Sequence, residues 1–313
     1  MHMPITNRPG LLRAFAAAAL CMLLASTSTH AQTAVRVGSK IDTEGSLLGQ
    51  LIVQALEANG VKTENRLQLG ATKIVRTALV AGEIDIYPEY TGNGAFFFAD
   101  EKNPVWKNAS AGFERVRRLD ADKNRLVWLQ PSPANNTWAI AIRRDVASAN
   151  KLSTLDDFGK WLAGGGKFKL AASAEFVERP DALPAFQAAY GFKLTQAQIV
   201  TLAGGDTAVT IRAAAEQNSG VNGAMAYGTD GPLAALGLVI LGDPRGVQPI
   251  YAPAPVVRAE VLARWPKIRD ALAPVFQSLD TATLQTLNAR IALEGRDAKQ
   301  VAAAYLKAKG FVR

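Results

Sequence analysis

One stretch of the sequence, Asp85–Gly94, brings two tyrosines, an acid and a Thr-Gly-Asn-Gly turn together within a short segment. Ile84 and Ile86 alternate with acidic residues as in a half-buried strand, and Pro88 has no N–H for a strand ladder. The strand is therefore expected to end near Tyr87, with a polar loop beyond it. Because open α/β sheets bind ligands beyond the carboxyl ends of their strands, this loop is the first candidate ligand site. The alternative is a structural turn with Tyr87 in the core.

The chemistry open to the chain is limited by its cysteine and histidine content. Cys21 is the only cysteine, and His2 and His30 are the only histidines. If the amino-terminal segment is removed, the remaining chain can form no disulfide, thiol nucleophile, Ser-His-Asp triad or His/Cys zinc site. Residues 164–167 read Gly-Gly-Gly-Lys but lack the earlier Gly and the following Ser or Thr of a phosphate-binding loop. No metal site and no cofactor are expected.

Residues 1–31 have the pattern of an export signal. Arg8 and Arg13 precede an apolar run that is too short to span a bilayer as a stable helix, and the segment contains no acidic residue. Cys21 lies inside the apolar run rather than at a lipoprotein-processing position. We therefore expect cleavage near Ala31 and release of a soluble protein into the periplasm.

The chain is basic without a pattern typical of nucleic-acid binding. Its formal charge is +8, from 35 Lys and Arg against 27 Asp and Glu, and removing Arg8 and Arg13 leaves 33 against 27, or +6. The basic residues are scattered, with short pairs such as Arg117-Arg118, and form no stripe interleaved with aromatic residues. A solvated, soluble surface is expected, and no nucleic-acid partner.

About 280 residues remain after the signal, which suits two lobes better than one core. Their hydrophobic periodicity predicts an α/β fold, and the first strand-helix-strand-helix-strand unit predicts a parallel sheet. Ser153 and Asp156 predict a capping box. The part that follows Tyr251 is expected to be almost all helix. The predicted strands are 34–38, 66–69, 84–87, 137–143, 168–172, 199–202, 224–227 and 238–241, and the predicted helices are 44–59, 72–81, 154–162, 181–190 and 206–217.

Two loop segments predict where the chain crosses between lobes. Residues 131–136 read Pro-Ser-Pro-Ala-Asn-Asn, and residues 242–246 read Gly-Asp-Pro-Arg-Gly. The expected division is a signal at 1–31, a first lobe from 32–133 and 248–313, and a second lobe from 134–247. Two lobes with a two-crossing hinge enclose a ligand cleft between them.

Four aromatic residues fall at the edges of these predicted elements. Tyr90, Tyr227 and Tyr251 stand at or just after a strand end, and Trp138 stands at the first crossing. Each alone is more often a core residue than a ligand contact. Together they are suited to wall a pocket to which both lobes contribute.

The sequence resembles the substrate-binding proteins of ABC importers for glycine betaine, choline and related osmoprotectants, within that family the OsmF/YehZ type. The resemblance covers essentially the whole mature chain and implies a two-lobed periplasmic binding protein of type II, without catalytic activity. The motifs that carry it are Ser39–Gly45, Asp85–Gly94, Asn135–Trp138, Ala171–Leu183, Ala224–Gly231 and Pro249–Pro253.

The same resemblance implies an aromatic box for a quaternary ammonium group, formed by Tyr90, Trp138, Tyr227 and Tyr251. It assigns Lys40 and Arg179 to the ligand carboxylate, and it matches Asn93 to a position where many relatives have Thr. Trp138 stands where many have Tyr. For Lys40 the alternative is a solvated cation, and for Arg179 it is a local ion pair with Glu178 or Asp181. The choice of ligand stays open.

Three functions compete at this point. The first is a periplasmic subunit, expected as a monomer, that delivers its small-molecule ligand to an ABC permease and ATPase. The second is a ligand sensor for a signalling partner, which would use the same cleft. The third is an enzyme on the same scaffold, which would have to rely on Glu89, Asp85, Lys40 or a Tyr, and no paired-carboxylate or Schiff-base pattern supports it.

Overall fold

The computed structural model describes residues 1–2, 34–202 and 204–312. The predicted export signal, with Cys21 and the expected cleavage site at Ala31, lies outside the described residues except at its first two positions. The chain from Ala34 onward forms one unit.

The first segment of the chain builds most of one sheet and the helices that cover it. Its first helix is capped by Asp42, whose Oδ1 accepts a hydrogen bond from the N–H of Gly45 at 2.7 Å, and it buries Leu47, Leu48 and Leu51 completely. The elements are β1 (Val35–Lys40), α1 (Thr43–Ala58), β2 (Thr63–Gly70), α2 (Thr72–Ala81), β3 (Ile86–Tyr90), α3 (Asn93–Phe97), a 3-10 turn (Pro104–Lys107), α4 (Ala109–Asn124) and β4 (Leu126–Trp128).

The second segment builds another sheet. Its helix α6 begins with a capping box of Thr154 and Asp157, one residue beyond the pair predicted from Ser153 and Asp156, because the Thr154 side chain accepts from the Asp157 N–H. The elements are β5 (Trp138–Arg143), α5 (Arg144–Ala149), α6 (Leu155–Ala163), β6 (Leu170–Ser173), α7 (Ala174–Glu178), α8 (Leu183–Tyr190), a 3-10 turn (Gln196–Gln198), β7 (Ile199–Leu202), α9 (Thr207–Ala215), a 3-10 turn (Asn218–Gly220), β8 (Gly223–Tyr227), α10 (Pro232–Ala235) and β9 (Leu238–Ile240).

The third segment returns to the first sheet. It begins with a strand, so the prediction that the chain after Tyr251 is almost all helix was wrong for its first part. The elements are β10 (Pro253–Arg258), α11 (Ala259–Arg264), α12 (Ile268–Gln277), α13 (Thr281–Ala292) and α14 (Ala298–Ala308).

The two sheets share one pattern of strand directions. The strand orders are β2-β1-β3-β10-β4 and β7-β6-β8-β5-β9. Each has three parallel strands, as predicted for the first, followed by an antiparallel strand. That antiparallel strand, β10 or β5, is the one that the chain forms directly after it crosses into the lobe. We call the part around the first sheet the first lobe and the part around the second sheet the second lobe.

Prolines lie inside the first sheet without breaking it. β3 continues through Pro88 to Tyr90, so the prediction that it ends near Tyr87 was wrong. Pro88 lies opposite Pro255, and Tyr90 lies opposite Pro253. In an antiparallel ladder the directly opposed pairs of residues alternate between hydrogen-bonded and non-hydrogen-bonded pairs. These prolines lie in non-hydrogen-bonded pairs. Neither therefore removes a bond between β3 and β10.

Pro88 does end the pairing of β3 with its other neighbour, β1. Val37 beside Ile86 is the one registered pair of these strands in the part of the chain that the structure describes. Pro88 has no N–H to continue that ladder, and the N–H of Tyr90 donates to its neighbour, the Glu89 side chain, at 2.7 Å. The two strands are thus free to separate beyond Ile86.

Within residues 34–202 and 204–312, no helix combines the length and the apolar character needed to cross a bilayer.

Candidate functional site

Four aromatic side chains from separate strand ends meet in one cavity. Tyr90 ends β3, Trp138 begins β5, Tyr227 ends β8 and Tyr251 precedes β10. The ladder between β5 and β8 sets Trp138 directly opposite Tyr227. The cavity is lined by Lys40, Asp42, Thr72, Tyr90, Asn93, Asn136, Trp138, Tyr227 and Tyr251.

The lobes are closed over this cavity. Its remaining volume is about 20 Å³, which is room for about one water molecule. The two lobes contact each other at its edge, where Arg179 Nη1 donates to Asn93 Oδ1 at 2.8 Å and Thr43 Oγ1 donates to Asp206 Oδ1 at 3.1 Å. A ligand must therefore enter before the lobes close.

Trp138 is the centre of the aromatic cluster. Its ring stacks on Tyr227 with centroids 6.2 Å apart and an interplanar angle of 18°. Tyr251 is tilted against it at 5.8 Å, and Phe176 meets it edge-on at 5.7 Å. Such pairs contribute about 0.5–1.5 kcal/mol each beyond the burial of their area. The buried Nε1 of Trp138 forms no hydrogen bond of full geometry among the described residues, although the side chain lies close enough to the Tyr227 hydroxyl to oppose the rise in the pKa of that tyrosine.

Arg179 lies beside the cavity, and its positive charge is balanced by ion pairs with acidic side chains. Its Nε and Nη2 donate to the two carboxylate oxygens of Asp181 at 2.9 and 2.6 Å. Its Nη1 donates to Glu175 Oε1 at 3.0 Å and to Asn93. Since a guanidinium has five N–H donors, four are already used by these partners.

The same guanidinium covers two ring faces. Its central carbon lies 4.2 Å from the ring centroid of Phe96 and 4.6 Å from that of Trp138. Both distances are within the range of a cation–π interaction. One face that the sequence assigned to a ligand cation is therefore in contact with Arg179.

On the polar side of the cavity, the carboxylate of Glu89 accepts four hydrogen bonds. It is fully buried, and its Oε1 accepts from Lys40 Nζ, from the backbone N–H of Tyr90 and from Asn93 Nδ2, each at 2.7 Å. Its Oε2 accepts from the hydroxyl of Tyr87 at 2.7 Å. Lys40 also lies 4.6 Å from the ring centroid of Tyr90. These bonds compensate the burial of the carboxylate.

Two acidic groups near the cavity hold protons unusually well. The pKa of Asp42 is raised to about 6, chiefly by burial and to a smaller extent by the carboxylates of Glu44 and Asp206, while Gly45 and Lys40 act in the opposite direction. Burial likewise raises the pKa of Asp230 to about 7, again with Glu44 and Asp206 nearby. Both groups thus titrate near neutral pH.

The tyrosines of the cavity stay neutral. Burial raises the pKa of Tyr90, Tyr227 and Tyr251 above its usual value. What these side chains offer to a cation is therefore the electron-rich ring face and not a phenolate charge.

A second, larger space lies away from this cavity. A groove of about 820 Å³ separates the segment that contains α10 and β9 from α13, and none of its lining residues is aromatic. It therefore lacks the ring faces that a quaternary ammonium group requires.

Comparison with known proteins decides the family. The family model described as the substrate binding domain of ABC-type glycine betaine transport systems matches residues 33–308. The chain belongs to this family. Among its relatives is the glycine betaine-binding protein YehZ of Escherichia coli, which is 62% identical over 303 residues, 97% of this chain and 99% of the relative. A glycine-betaine-binding protein of Pseudomonas aeruginosa is 33% identical over 293 residues, 91% of this chain and 90% of the relative.

Solved structures agree with this membership. The structure of apo YehZ from E. coli matches with a TM-score of 0.67 at 66% identity, covering 90% of this chain and 100% of that one. Lactococcal OpuAC, solved closed with glycine betaine, matches with a TM-score of 0.59 at 12% identity, covering 89% of this chain and 96% of that one, and this likeness shows the fold alone. The family and the two-lobed α/β fold predicted from the sequence are confirmed.

The structure brings the predicted site residues of this family member together. Six of them, Lys40, Tyr90, Asn93, Trp138, Tyr227 and Tyr251, line the one cavity. The seventh, Arg179, contacts Asn93 and Trp138 at its edge. Arg179 also forms the ion pair with Asp181 that the sequence left as an alternative, together with one to Glu175. Their roles in binding remain predictions.

Sequence reasoning missed several residues of the site. Glu89 stood in the stretch singled out first, but only as a candidate catalytic acid. Glu44, Asn136 and Asp181 received no role in binding, although Asn136 lies in the motif before Trp138 and Asp181 two residues after Arg179. Because the burial of these polar residues is accompanied by hydrogen bonds and not by an apolar face, hydrophobic periodicity gives no sign of them.

Proposed function

We propose that this chain is the periplasmic solute-binding subunit of an ABC importer. It binds glycine betaine, or a related quaternary ammonium compound, between its lobes and delivers it to the membrane permease, which an ATPase drives. The observation that carries the proposal is the convergence of Tyr90, Trp138, Tyr227 and Tyr251 on one cavity. Its two close relatives named above are glycine betaine-binding proteins.

Ring faces suit this ligand for a physical reason. A trimethylammonium group is cationic but has no N–H to donate, so a hydrogen-bond acceptor gains little from it. An aromatic face attracts it through the ring quadrupole, with about 0.5–2 kcal/mol for each contact. Such a box therefore favours a quaternary ammonium over a hydrated primary amine.

The carboxylate of a betaine needs donors, and two are at hand. Lys40 Nζ uses one of its three N–H groups on Glu89, and Trp138 Nε1 forms no hydrogen bond of full geometry among the described residues. We infer that these two groups bind the carboxylate, with Arg179 completing the edge of the site. Nothing in this role requires a chemical step, and we propose no catalysis.

Export completes the proposal. Binding proteins of this kind act outside the cytoplasmic membrane, and residues 1–31 have the pattern of an export signal. We propose that the signal is cleaved near Ala31 and that the mature protein is periplasmic.

Calorimetric titration of the mature protein with glycine betaine, choline, carnitine and a plain amino acid tests the function. Replacing Tyr227 or Tyr251 by Ala removes one ring face, which contributes about 0.5–2 kcal/mol. Since a tenfold change in affinity corresponds to about 1.4 kcal/mol, betaine binding is expected to weaken roughly tenfold. Tyr305, a buried tyrosine of α14 bonded to Ser278, supplies the control. Its Ala variant should lose stability and keep affinity. Binding of the amino acid alone would contradict the aromatic box.

A further inference from the structure

A second buried carboxylate, that of Glu44, lies behind the aromatic box. Glu44 is on the first turn of α1 and is 5% exposed. Its Oε1 accepts from the hydroxyl of Tyr90 at 2.9 Å and from Asn136 Nδ2 at 2.6 Å. Its Oε2 accepts from Asn288 Nδ2 at 2.6 Å. Among the described residues it forms no ion pair, so these donors and the N-terminus of α1 stabilise its charge.

Two amides connect this carboxylate to the second lobe. Besides its bond to Glu44, Asn136 Nδ2 donates to Thr229 Oγ1 at 2.7 Å. In the same way, Asn288 Nδ2 donates to the backbone oxygen of Thr229 at 3.1 Å. An amide nitrogen has two hydrogens, so each amide uses one on Glu44 and one on Thr229.

These four residues come from different parts of the molecule. Glu44 belongs to the first lobe, Asn136 to the first crossing, Asn288 to α13, and Thr229 to the second lobe just beyond β8. The arrangement depends on the present closure of the lobes, since Thr229 must stay near both amides. It reaches the ligand cavity at two points, the side chain of Asn136, which lines the cavity, and the hydroxyl of Tyr90.

We propose that Glu44 is a positioning residue for ligand binding, which holds the far end of the Tyr90 ring and ties its position to the closure of the lobes through Asn136, Asn288 and Thr229. This inference rests on the proposed function, because it assumes that Tyr90 contacts the ligand. It assigns a binding role to the Tyr90 hydroxyl in addition to that of the ring face.

Replacement of Glu44 by Gln tests the proposal. A Gln side chain offers one acceptor oxygen to the three donors that now share two, and its own N–H₂ group faces them as a further donor. Titration with glycine betaine should show binding about tenfold weaker than in the wild type, which corresponds to about 1.4 kcal/mol.

A matched control separates this role from general destabilisation. Asp120 is another fully buried carboxylate, bonded to Arg76, Asn124 and Trp128, none of which lines the cavity. Asp120→Asn should lower the melting temperature and keep the affinity. If Glu44→Gln does the same, Glu44 is structural only and the proposal is wrong.

A double-mutant cycle tests whether Glu44 acts through Tyr90. Tyr90→Phe keeps the ring but removes the hydroxyl, so the double variant should bind no more weakly than Glu44→Gln alone. Fully additive losses would contradict the proposal.

If glycine betaine does not bind the wild type, that result counts against the proposed function alone. A measurement without ligand then still tests whether Glu44 is linked to the closure of the lobes. Expressed from Gln32, the chain has no cysteine, so spin labels can be placed at Lys73→Cys on the first lobe and Lys193→Cys on the second. In Glu44→Gln the distances between the labels should shift to longer values than in the wild type and in Asp120→Asn. An unchanged distance distribution would overturn the link to closure.

Discussion

Replacing Arg179 by Met tests whether the closed cleft persists in solution. Met keeps much of the length of the side chain and is able to pack against Phe96 and Trp138, the two rings that the guanidinium covers. It removes the guanidinium that donates to Asp181, Glu175 and Asn93. Asp181, whose side chain is 5% exposed, would then be a buried carboxylate without a cation.

The expected loss of stability follows from that geometry. Breaking a buried ion pair by removing one partner costs about 3–5 kcal/mol, because the remaining charge is uncompensated. Loss of the cation–π contacts adds about 0.5–2 kcal/mol. Arg179→Lys keeps the charge but not the planar fork, so its loss should be smaller, at about 1–3 kcal/mol.

Urea denaturation of the ligand-free protein measures these losses as changes in the unfolding free energy. The double variant Arg179→Met with Asp181→Asn is the control, since it removes the unpaired charge and should recover a large part of the loss. A loss below about 1 kcal/mol in the single Met variant would refute the reasoning. It would mean that water already solvates Asp181, and hence that the cleft is open without ligand.

Three further predictions concern the same molecule. Trp138 is the only tryptophan that lines the cavity among the described residues, so Trp138→Phe should remove most of the change in tryptophan fluorescence on ligand binding, and an unaltered response would place Trp138 outside the site. Since the raised pKa values of Asp42 and Asp230 make the folded chain bind protons that the unfolded chain releases, the unfolding free energy should rise by about 4 kcal/mol as the pH falls from 8 to 5. Denaturation at several pH values measures this, and a double Asn variant that kept the full slope would contradict the assignment. Mass spectrometry of the exported protein should give a chain that begins near Gln32, and a lipid-modified Cys21 would contradict free release.

Most elements of the fold could be predicted from periodicity, because each buries one face against its own lobe. Strand β10 could not. Its sequence, Pro-Ala-Pro-Val-Val-Arg, reads as a break, since prolines remove ladder donors. The sequence does not show which N–H groups of a strand face a neighbour, and this decides whether Pro253 and Pro255 are tolerated.

The aromatic half of the site was accessible from sequence, whereas of the polar half only Lys40, Asn93 and Arg179 were, and those through the resemblance to a family. The positions of Tyr90, Trp138 and Tyr227 at strand ends follow from local pattern together with a resemblance to a family. The buried position of Glu44 depends on a hydrogen bond from Asn288, which lies 244 residues further along the chain. Such a contact exists only once both lobes and the last helices have assembled.

The proline in the middle of β3 bears on how the shape of the cavity is maintained. Backbone hydrogen bonding tends to draw neighbouring strands together along their whole length, which would bring Lys40 at the end of β1 and Tyr90 at the end of β3 closer together at one side of the cavity. Pro88 stops this between β1 and β3, because the backbone there offers no N–H group. The opening is therefore set by the main chain rather than by the side chains that fill it. Lys40, Tyr90 and Asn93, which line the cavity, can therefore be replaced by other side chains while the strands stay apart.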